Sequence, residues 1–346
     1  MLGCLCHTIF GDFLKKLFNA AKEIVMSKRV LYVMDPFDHV DPQGDTTLAL
    51  MWESQKRGYE SFFCGIHQLG LEGANGYALC RPLAFQSTPQ TRVEFEWLAE
   101  ETLLFFDDFD FIWMRKDPPV NQAFITATFI LDRHDPKKTL VLNNPTSMRI
   151  ANEKLWAHFA SDLYPRTIVS ADAKQLLNAA KEMEQVVLKP IDAAGGYGIF
   201  VFSHEDKNLK SAIEVLTQRG TTPIIAQEYV KEINKGDKRV LLLGGECLGA
   251  LKRLPGATDH RANLHVGGNA ALTQVDERDK EIAARLKPHL EELGLHFVGF
   301  DVIGDRLTEV NVTSPTGIRE INGLENRQGN SLLESLIWDY AERLKK

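Results

Sequence analysis

The stretch VVLKPIDAAGGYGIFVF, Val186 to Phe202, constrains this chain more than any other. Val186 to Lys189 reads as a strand ended by Pro190, and Ile199 to Phe202, β-branched and aromatic, reads as a second strand. Gly195, Gly196 and Gly198 lie between them. A Walker-type phosphate loop places its lysine after the last glycine, at the start of a helix; here Lys189 precedes the glycines. A dinucleotide fingerprint also needs a helix next. The stretch therefore specifies strand, glycine loop, strand, and two readings stay open. The loop folds over a nucleotide and offers backbone N–H groups to its phosphates, with Lys189 as a point charge beside them. Alternatively, it is an ordinary hairpin with a loose tip and a solvated lysine.

The surrounding pattern sets the fold class. RVLYVMDP (from Arg29), ESFFCGI (from Glu60), FDFIWMRKDPP (from Phe109) and TLVLNNP (from Thr139) read as strands, with a helix over Thr46–Lys56 ended by Gly58. Strands alternating with helices predict a parallel α/β sheet, Rossmann-like, over residues 26–148. Ligands of such sheets sit beyond the carboxyl ends of strands, where Asp35 and Arg115-Lys116-Asp117 fall; each also suits a plain turn. From Met148 the pattern changes. RIANEKLWAHFASDL reads as a helix carrying Lys154, and residues 172–184 as another. PIIAQEYV reads as a strand, and KRVLLLGGECLGALKRL as a hairpin turning at Gly244-Gly245.

The 346 residues leave room for two or three domains. A net charge of −7 argues against nucleic acid or an anionic membrane as the partner. Five cysteines without metal or Cys-x-x-Cys spacing fit reduced thiols in a cytoplasm. Residues 1–25 carry apolar positions (Leu2, Leu5, Ile9, Phe13, Leu17, Ala21, Ile24) at helical spacing. A surface anchor is one reading of that segment. The plainer one, preferred here, is an extension upstream of a domain that begins at Met26.

GFDVIGDRLTEVNVTSP supplies the second signal. Glu309 and Asn311 stand two apart on a strand and share a face, while Val310 and Val312 take the other. A connection with an odd number of residues centred on Asp305 pairs Asp301 with Glu309, side chains within about 5 Å. Two carboxylates and an amide there suit Mg²⁺, whose shell nucleotide phosphates usually complete. A two-residue Gly304-Asp305 turn would put Asp301 and Glu309 on opposite faces, leaving a solvated polar strand.

NEKLW, VVLKPIDAAGGYGIF, AQEYV, GDKRV, RANL and GFDVIGDRLTEVNVTSPTGIRE follow one another in this order, after VMDP and MRKDPP. Together they resemble the bacterial glutathione synthetase family of the ATP-grasp superfamily, over about residues 28–346. MRKDPP with DRLTEVNVTSPT is the specific part; AGGYG departs from the usual small residues at Tyr197. The resemblance implies a substrate-binding α/β domain over 26–148 and a two-lobed α+β ATP-grasp domain over 149–346. In that domain, 149–229 is the nucleotide lid lobe and 230–346 the metal and active-site lobe.

The resemblance also implies roles. Lys154 and Lys189 hold ATP phosphates under the loop Gly195, Gly196 and Gly198. Gln227, Glu228, Tyr229 and Val230 edge the adenine, and Asp237 faces the ribose. Asp301, Glu309 and Asn311 bind Mg²⁺, with Mn²⁺ as a substitute. Arg239, Arg253, Arg261 and Asn263 face the reacting acyl phosphate, and Arg115 and Ser314 seat the peptide. RLPGATDHRANLHVGG, residues 253–268, corresponds to a loop that covers the site. The implied substrates are ATP, γ-glutamylcysteine and glycine, with a cytoplasmic homo-oligomer, a tetramer, as the working form and no nucleic-acid or membrane partner.

Overall fold

The computed structural model describes residues 28–89, 92–192, 195–254 and 269–346. The sequence reading of residues 1–25 lies outside the described residues. Among the described residues three sheets form. The first contains β1 (Arg29–Val33), β2 (Glu60–Cys64), β3 (Leu69–Glu72), β4 (Asn75–Phe85), β5 (Phe95–Trp97), β6 (Thr102–Phe105), β7 (Phe111–Met114) and β8 (Leu140–Leu142). Its order is β3-β4-β2-β1-β7-β8, with β5 and β6 also pairing with β4. β2, β1, β7 and β8 run parallel, as the strand–helix alternation predicts. The β4 partnerships are antiparallel, an addition the sequence reading did not include.

The second sheet, order β11-β10-β12-β9, contains β9 (Thr167–Ser170), β10 (Gln185–Pro190), β11 (Phe200–Ser203) and β12 (Ile224–Glu228). β10 and β11 are the antiparallel strands expected on either side of the glycine loop. The third sheet, order β15-β14-β13-β16-β17, contains β13 (Asp237–Leu243), β14 (Glu246–Leu254), β15 (Asn269–Leu272), β16 (Phe297–Ile303) and β17 (Arg306–Asn311). The second sheet has its own core, built on Leu176, Ala180, Val186, Leu188, Ile213 and Ile224. The first and third sheets share two cores: Leu31 and Ile112 cluster with Val240 and Phe300, and Tyr32 and Trp113 cluster with Leu241 and Phe297.

One sequence expectation fails here. RIANEKLWAHFASDL is not a continuous helix: a helix over Pro145–Ile150 ends, residues 151–155 form a turn, and a 3₁₀ segment over Trp156–Leu163 follows. Asn152 Oδ1 accepts from the N–H groups of Lys154 and Leu155, so this side chain competes for the backbone bonds a helix needs.

The helix over Thr46–Lys56 (α1) is capped by Asp45, whose Oδ1 accepts from Leu48 N at 2.8 Å. The last helix, Leu333–Lys345, lies against α1 and the first sheet. Its Trp338 is fully buried and donates Nε1–H to Leu50 O at 2.8 Å. The indole packs against Tyr59, Phe111 and Trp113 with ring centroids 5.0–5.7 Å away. Arg57 ties the two helices together, bonding Glu53, Ser335, Asp339 and Glu342.

That junction is pH-dependent. Burial alone would raise the Glu53 carboxyl, but hydrogen bonds and charge from Lys56 and Arg57 win and hold it below its ordinary value. A depressed carboxylate contributes stability that is present above its unfolded pKa and lost as the pH falls. Glu53→Gln is expected to be less stable than the natural chain by about 1–3 kcal/mol at neutral pH. The gap should close as the pH drops below 4.5. Urea midpoints of both proteins, at neutral pH and in acid, measure it; a gap independent of pH would assign Glu53 a packing role alone.

Candidate active site

The β16–β17 hairpin decides whether an acidic pair exists. Its turn is the two-residue Gly304-Asp305 connection, since Ile303 faces Arg306 and Val302 faces Leu307. That turn alone would set Asp301 opposite Thr308. Instead, the register shifts between Asp301 and Val302, and Asp301 faces Glu309. Thr308 is the extra residue of a β-bulge, and its Oγ1 donates to Asp301 O at 3.1 Å. The bulge thus returns Asp301 and Glu309 to one face, which the turn length by itself would not do.

Asp301 is buried between two arginines. Arg239 faces it across the β13–β16 pair and bonds both its oxygens, and Arg253 reaches its Oδ2 at 2.8 Å. Gly299 makes room for this: a Cβ there would lie 3.0 Å from Arg239 Cδ. Arg253 also bonds both oxygens of Asp237, its cross-strand neighbour. Burial opposes the Asp301 charge, but Arg239 and Arg253 outweigh it and hold the carboxyl far below the usual range. Burial raises Asp237 despite Arg253. Glu309 is pushed up to about 7, first by burial and then by the charge of Asp301, against Lys154 and Lys189.

Two buried lysines converge on this pair. Lys154 Nζ stands 4.0 Å from Glu309 Oε2. Lys189, on β10, donates to Gln227 Oε1 at 2.9 Å, and Gln227 in turn donates to Thr167 Oγ1 at 2.8 Å. Burial brings Lys189 down to about 8, with Glu309 and Asp301 opposing the shift and Lys154 adding to it. Strands from two sheets and a turn between them therefore place four cations, Arg239, Arg253, Lys154 and Lys189, around three carboxylates.

Gly195, Gly196 and Gly198 all have positive φ, at 64°, 79° and 70°. Only glycine adopts that backbone without strain, and a Cβ on Gly198 would meet Pro190 Cγ at 2.9 Å. Tyr197, between them, is 78% exposed. At the other end of β10, Tyr229 N donates to Gln185 O at 3.2 Å and Glu228 pairs with Val186. Val230 is extended and leads into a 3₁₀ turn. The glycine loop and Glu228–Val230 therefore flank β10 at opposite ends, with Lys189 on the strand.

Beyond the carboxyl ends of β1 and β7 a third group forms. Lys116 Nζ lies 3.0 Å from Asp35 Oδ1, and Asp117 N donates to Asp35 Oδ2 at 3.1 Å. Ser314 Oγ donates to Asp117. Arg115 is buried, donating to Thr47 Oγ1 at 3.2 Å and to Pro315 O at 2.9 Å, and burial lowers its pKa. Arg115 and Ser314, 199 positions apart in the chain, thus share one site, while Arg261 and Asn263 lie outside the described residues, as do all of residues 255–268.

The sequence reading missed two residues that hold these groups. Asn143 is buried and satisfies all four of its bonds, accepting from His296 N and Phe297 N and donating to Phe297 O and Val312 O. Glu153 bonds the end of β17. Their partners are more than 140 positions away, so TLVLNNP and NEKLW, the blocks that contain them, gave no sign of these bonds.

A divalent cation fits the Asp301, Glu309 and Asn311 face. Asp301 and Glu309 stand opposite each other across the strand pair, and Asn311 follows two residues on from Glu309, so two carboxyls and an amide oxygen of the kind such an ion takes lie together. Among the described residues no group of three His, Cys, Asp or Glu side chains is placed to hold a metal ion. Also among them, no helix is long and apolar enough to cross a membrane.

Comparison with known proteins agrees with this architecture. Residues 29–149 match the model of the prokaryotic glutathione synthetase N-terminal domain, and residues 153–326 that of the prokaryotic glutathione synthetase ATP-grasp domain. A glutathione synthetase of Thermosynechococcus vestitus is 41% identical over 317 residues, covering 89% of this chain and 99% of the relative. One of Agrobacterium fabrum is 38% identical over 316 residues, covering 91% and 97%. Among solved structures, D-cycloserine synthetase DcsG shares the fold with a TM-score of 0.59 at 17% identity, covering 91% of this chain and 99% of its own. An ATP-grasp RimK domain protein of Sphaerobacter thermophilus gives 0.56 at 16%, covering 91% and 99%. With matching models over both halves and relatives near 40% identity along almost their whole length, the chain belongs to the prokaryotic glutathione synthetase family.

Proposed function

We propose that this chain joins γ-glutamylcysteine to glycine at the expense of ATP, giving glutathione, ADP and phosphate. The observation that carries the reading is the convergence of Lys154, Lys189, Asp301, Glu309 and Asn311 beside a glycine loop, in a member of this family. β10 supports it further. At about 3.3 Å per residue its ends stand roughly 17 Å apart, the scale of an extended nucleoside triphosphate. The base lies at Gln227–Val230 with Asp237 toward the ribose, and the phosphates lie at Gly195–Gly198.

The reaction has two steps. A carboxylate oxygen of the cysteine residue attacks the γ-phosphorus, and the bond to the bridging oxygen breaks to release ADP. The amine of glycine then attacks the acyl carbon of the resulting acyl phosphate and loses a proton, and phosphate leaves. Lys154 and Lys189 spread the charge that develops on the phosphoryl oxygens. Burial makes the Lys189 charge costly and its hydrogen bond goes to the neutral Gln227, so an incoming phosphate supplies an opposite charge in contact. Asp301, Glu309 and Asn311 would hold Mg²⁺, or Mn²⁺ in its place, which would neutralise phosphate oxygens. Arg239 and Arg253, with Arg261 and Asn263, face the acyl phosphate. The guanidinium planes of Arg239 and Arg253, held by Asp301 and Asp237, suit its oxygens.

Arg115 and Ser314 seat the peptide, whose two carboxylates need fixed positive charge. Water would destroy the acyl phosphate, so residues 253–268 serve as the cover. The domains act as 26–148 for peptide, 149–229 for nucleotide and 230–346 for metal and acyl transfer, within a cytoplasmic homo-oligomer, a tetramer on the family resemblance.

Three outcomes test this reading. Purified protein with ATP and Mg²⁺ should convert γ-glutamylcysteine and glycine to glutathione, read by mass spectrometry. D-alanine pairs and glutamate-rich peptides should give little product; a better yield from either would keep the ligase and remove the glutathione assignment. Lys189→Ala should fold normally and lose about 10²- to 10³-fold in kcat, as loss of one charge-stabilising donor does; ADP release at the natural rate would end the phosphate role. Glu309→Gln should weaken the Mg²⁺ dependence of ADP binding, followed by calorimetry, and leave the KM for peptide in place. Superimposable Mg²⁺ titrations would return this strand face to a solvated role.

A further inference from the structure

We propose that Glu153 is a positioning residue that fixes Lys154 against the acidic strand β17, an inference that rests on the nucleotide-binding reading of Lys154. Residues 151–155 belong to no helix or strand, so no ladder of backbone bonds places Lys154. Asn152 closes the turn locally by accepting from Lys154 N at 3.0 Å and Leu155 N at 3.2 Å. Those bonds shape the turn without saying where it sits. Glu153 supplies that. Its carbonyl accepts from Val310 N at 2.8 Å. Its Oε1 accepts from Val312 N at 2.9 Å, Thr313 N at 3.1 Å and Thr313 Oγ1 at 2.9 Å.

These four bonds bracket Asn311 and begin one residue past Glu309. They occupy the N–H groups of Val310 and Val312, on either side of Asn311, and that of Thr313. The lysine next to Glu153 is thereby delivered to within 4.0 Å of Glu309 Oε2. A carboxylate collecting three donors on one oxygen makes strong, charge-assisted bonds, and its loss leaves all three donors unpaired. Were Glu153 a cap for the strand end alone, its removal would cost stability and leave nucleotide affinity alone. Acting through Lys154, it also weakens nucleotide binding, and only while Lys154 is present.

Calorimetric titration of the full chain with ADP in excess Mg²⁺ distinguishes the two, with thermal melts confirming that each variant is folded. Glu153→Ala should bind about 10- to 100-fold more weakly, the range for losing a residue that orients a ligating group. Glu153→Gln, which keeps an acceptor oxygen, should retain most of the affinity. On a Lys154→Ala background, Glu153→Ala should add little, since the group it positions is gone. Unchanged affinity in folded Glu153→Ala, or an equal loss on both backgrounds, would overturn the positioning role while the nucleotide reading stands. Unchanged affinity in Lys154→Ala itself would overturn both. If Glu153→Ala does not fold, Glu153→Asp, which shortens the reach by one methylene, takes its place with the same outcomes.

Discussion

The buried carboxylate of Asp301 is the point on which the site depends. An ionised group this deep is tolerated only when its charge is matched and its lone pairs are bonded. Arg239 meets both oxygens from the neighbouring strand and Arg253 meets one from the next, so three adjacent strands of the third sheet are joined by charge on one face. With Asp301 held ionised, Glu309 beside it becomes the group that resists ionisation. A second negative charge on this face is costly, because burial and the Asp301 charge both oppose it.

The β-bulge at Thr308 makes that pairing possible, and its consequence is large for one residue. In an antiparallel pair a one-residue slip turns every later side chain to the other face. With a two-residue turn and no bulge, Glu309 and Asn311 would point into the core and Val310 and Val312 toward the site. The bulge corrects the register between Leu307 and Glu309, so Val310 and Val312 remain fully buried. Thr308 donates its hydroxyl to Asp301 O across the irregularity.

The glycine loop, the lysine beside it and most strands were legible because each depends on local preference. Val186–Lys189 and Ile199–Phe202 are β-formers, the glycines fill positive-φ positions, and both strands form as read. The helix over Thr46–Lys56 carries its own cap. Lys154 was misplaced onto a helix because the apolar spacing of RIANEKLWAHFASDL imitates one, while Asn152 and Glu153 draw the backbone into a turn. The antiparallel strands around β4 and the clasp of the last helix on Leu50 and Arg57 went unread, since their partners lie far off in the chain.

By itself, the sequence determined the strand–loop–strand unit, the acidic strand with its alternating faces, and the residue blocks that carry the family resemblance. These are properties of neighbours within a few positions, where periodicity and backbone preference act. Tertiary structure decided which charges meet. It set Glu309 rather than Thr308 opposite Asp301, placed Arg239 and Arg253 on Asp301, and joined Ser314 to Asp117 across the chain. It also put Glu153 against Val312 and Thr313. Coulomb and hydrogen-bond energies depend on separation in space and on burial, and neither quantity is written in the spacing of residues along a chain.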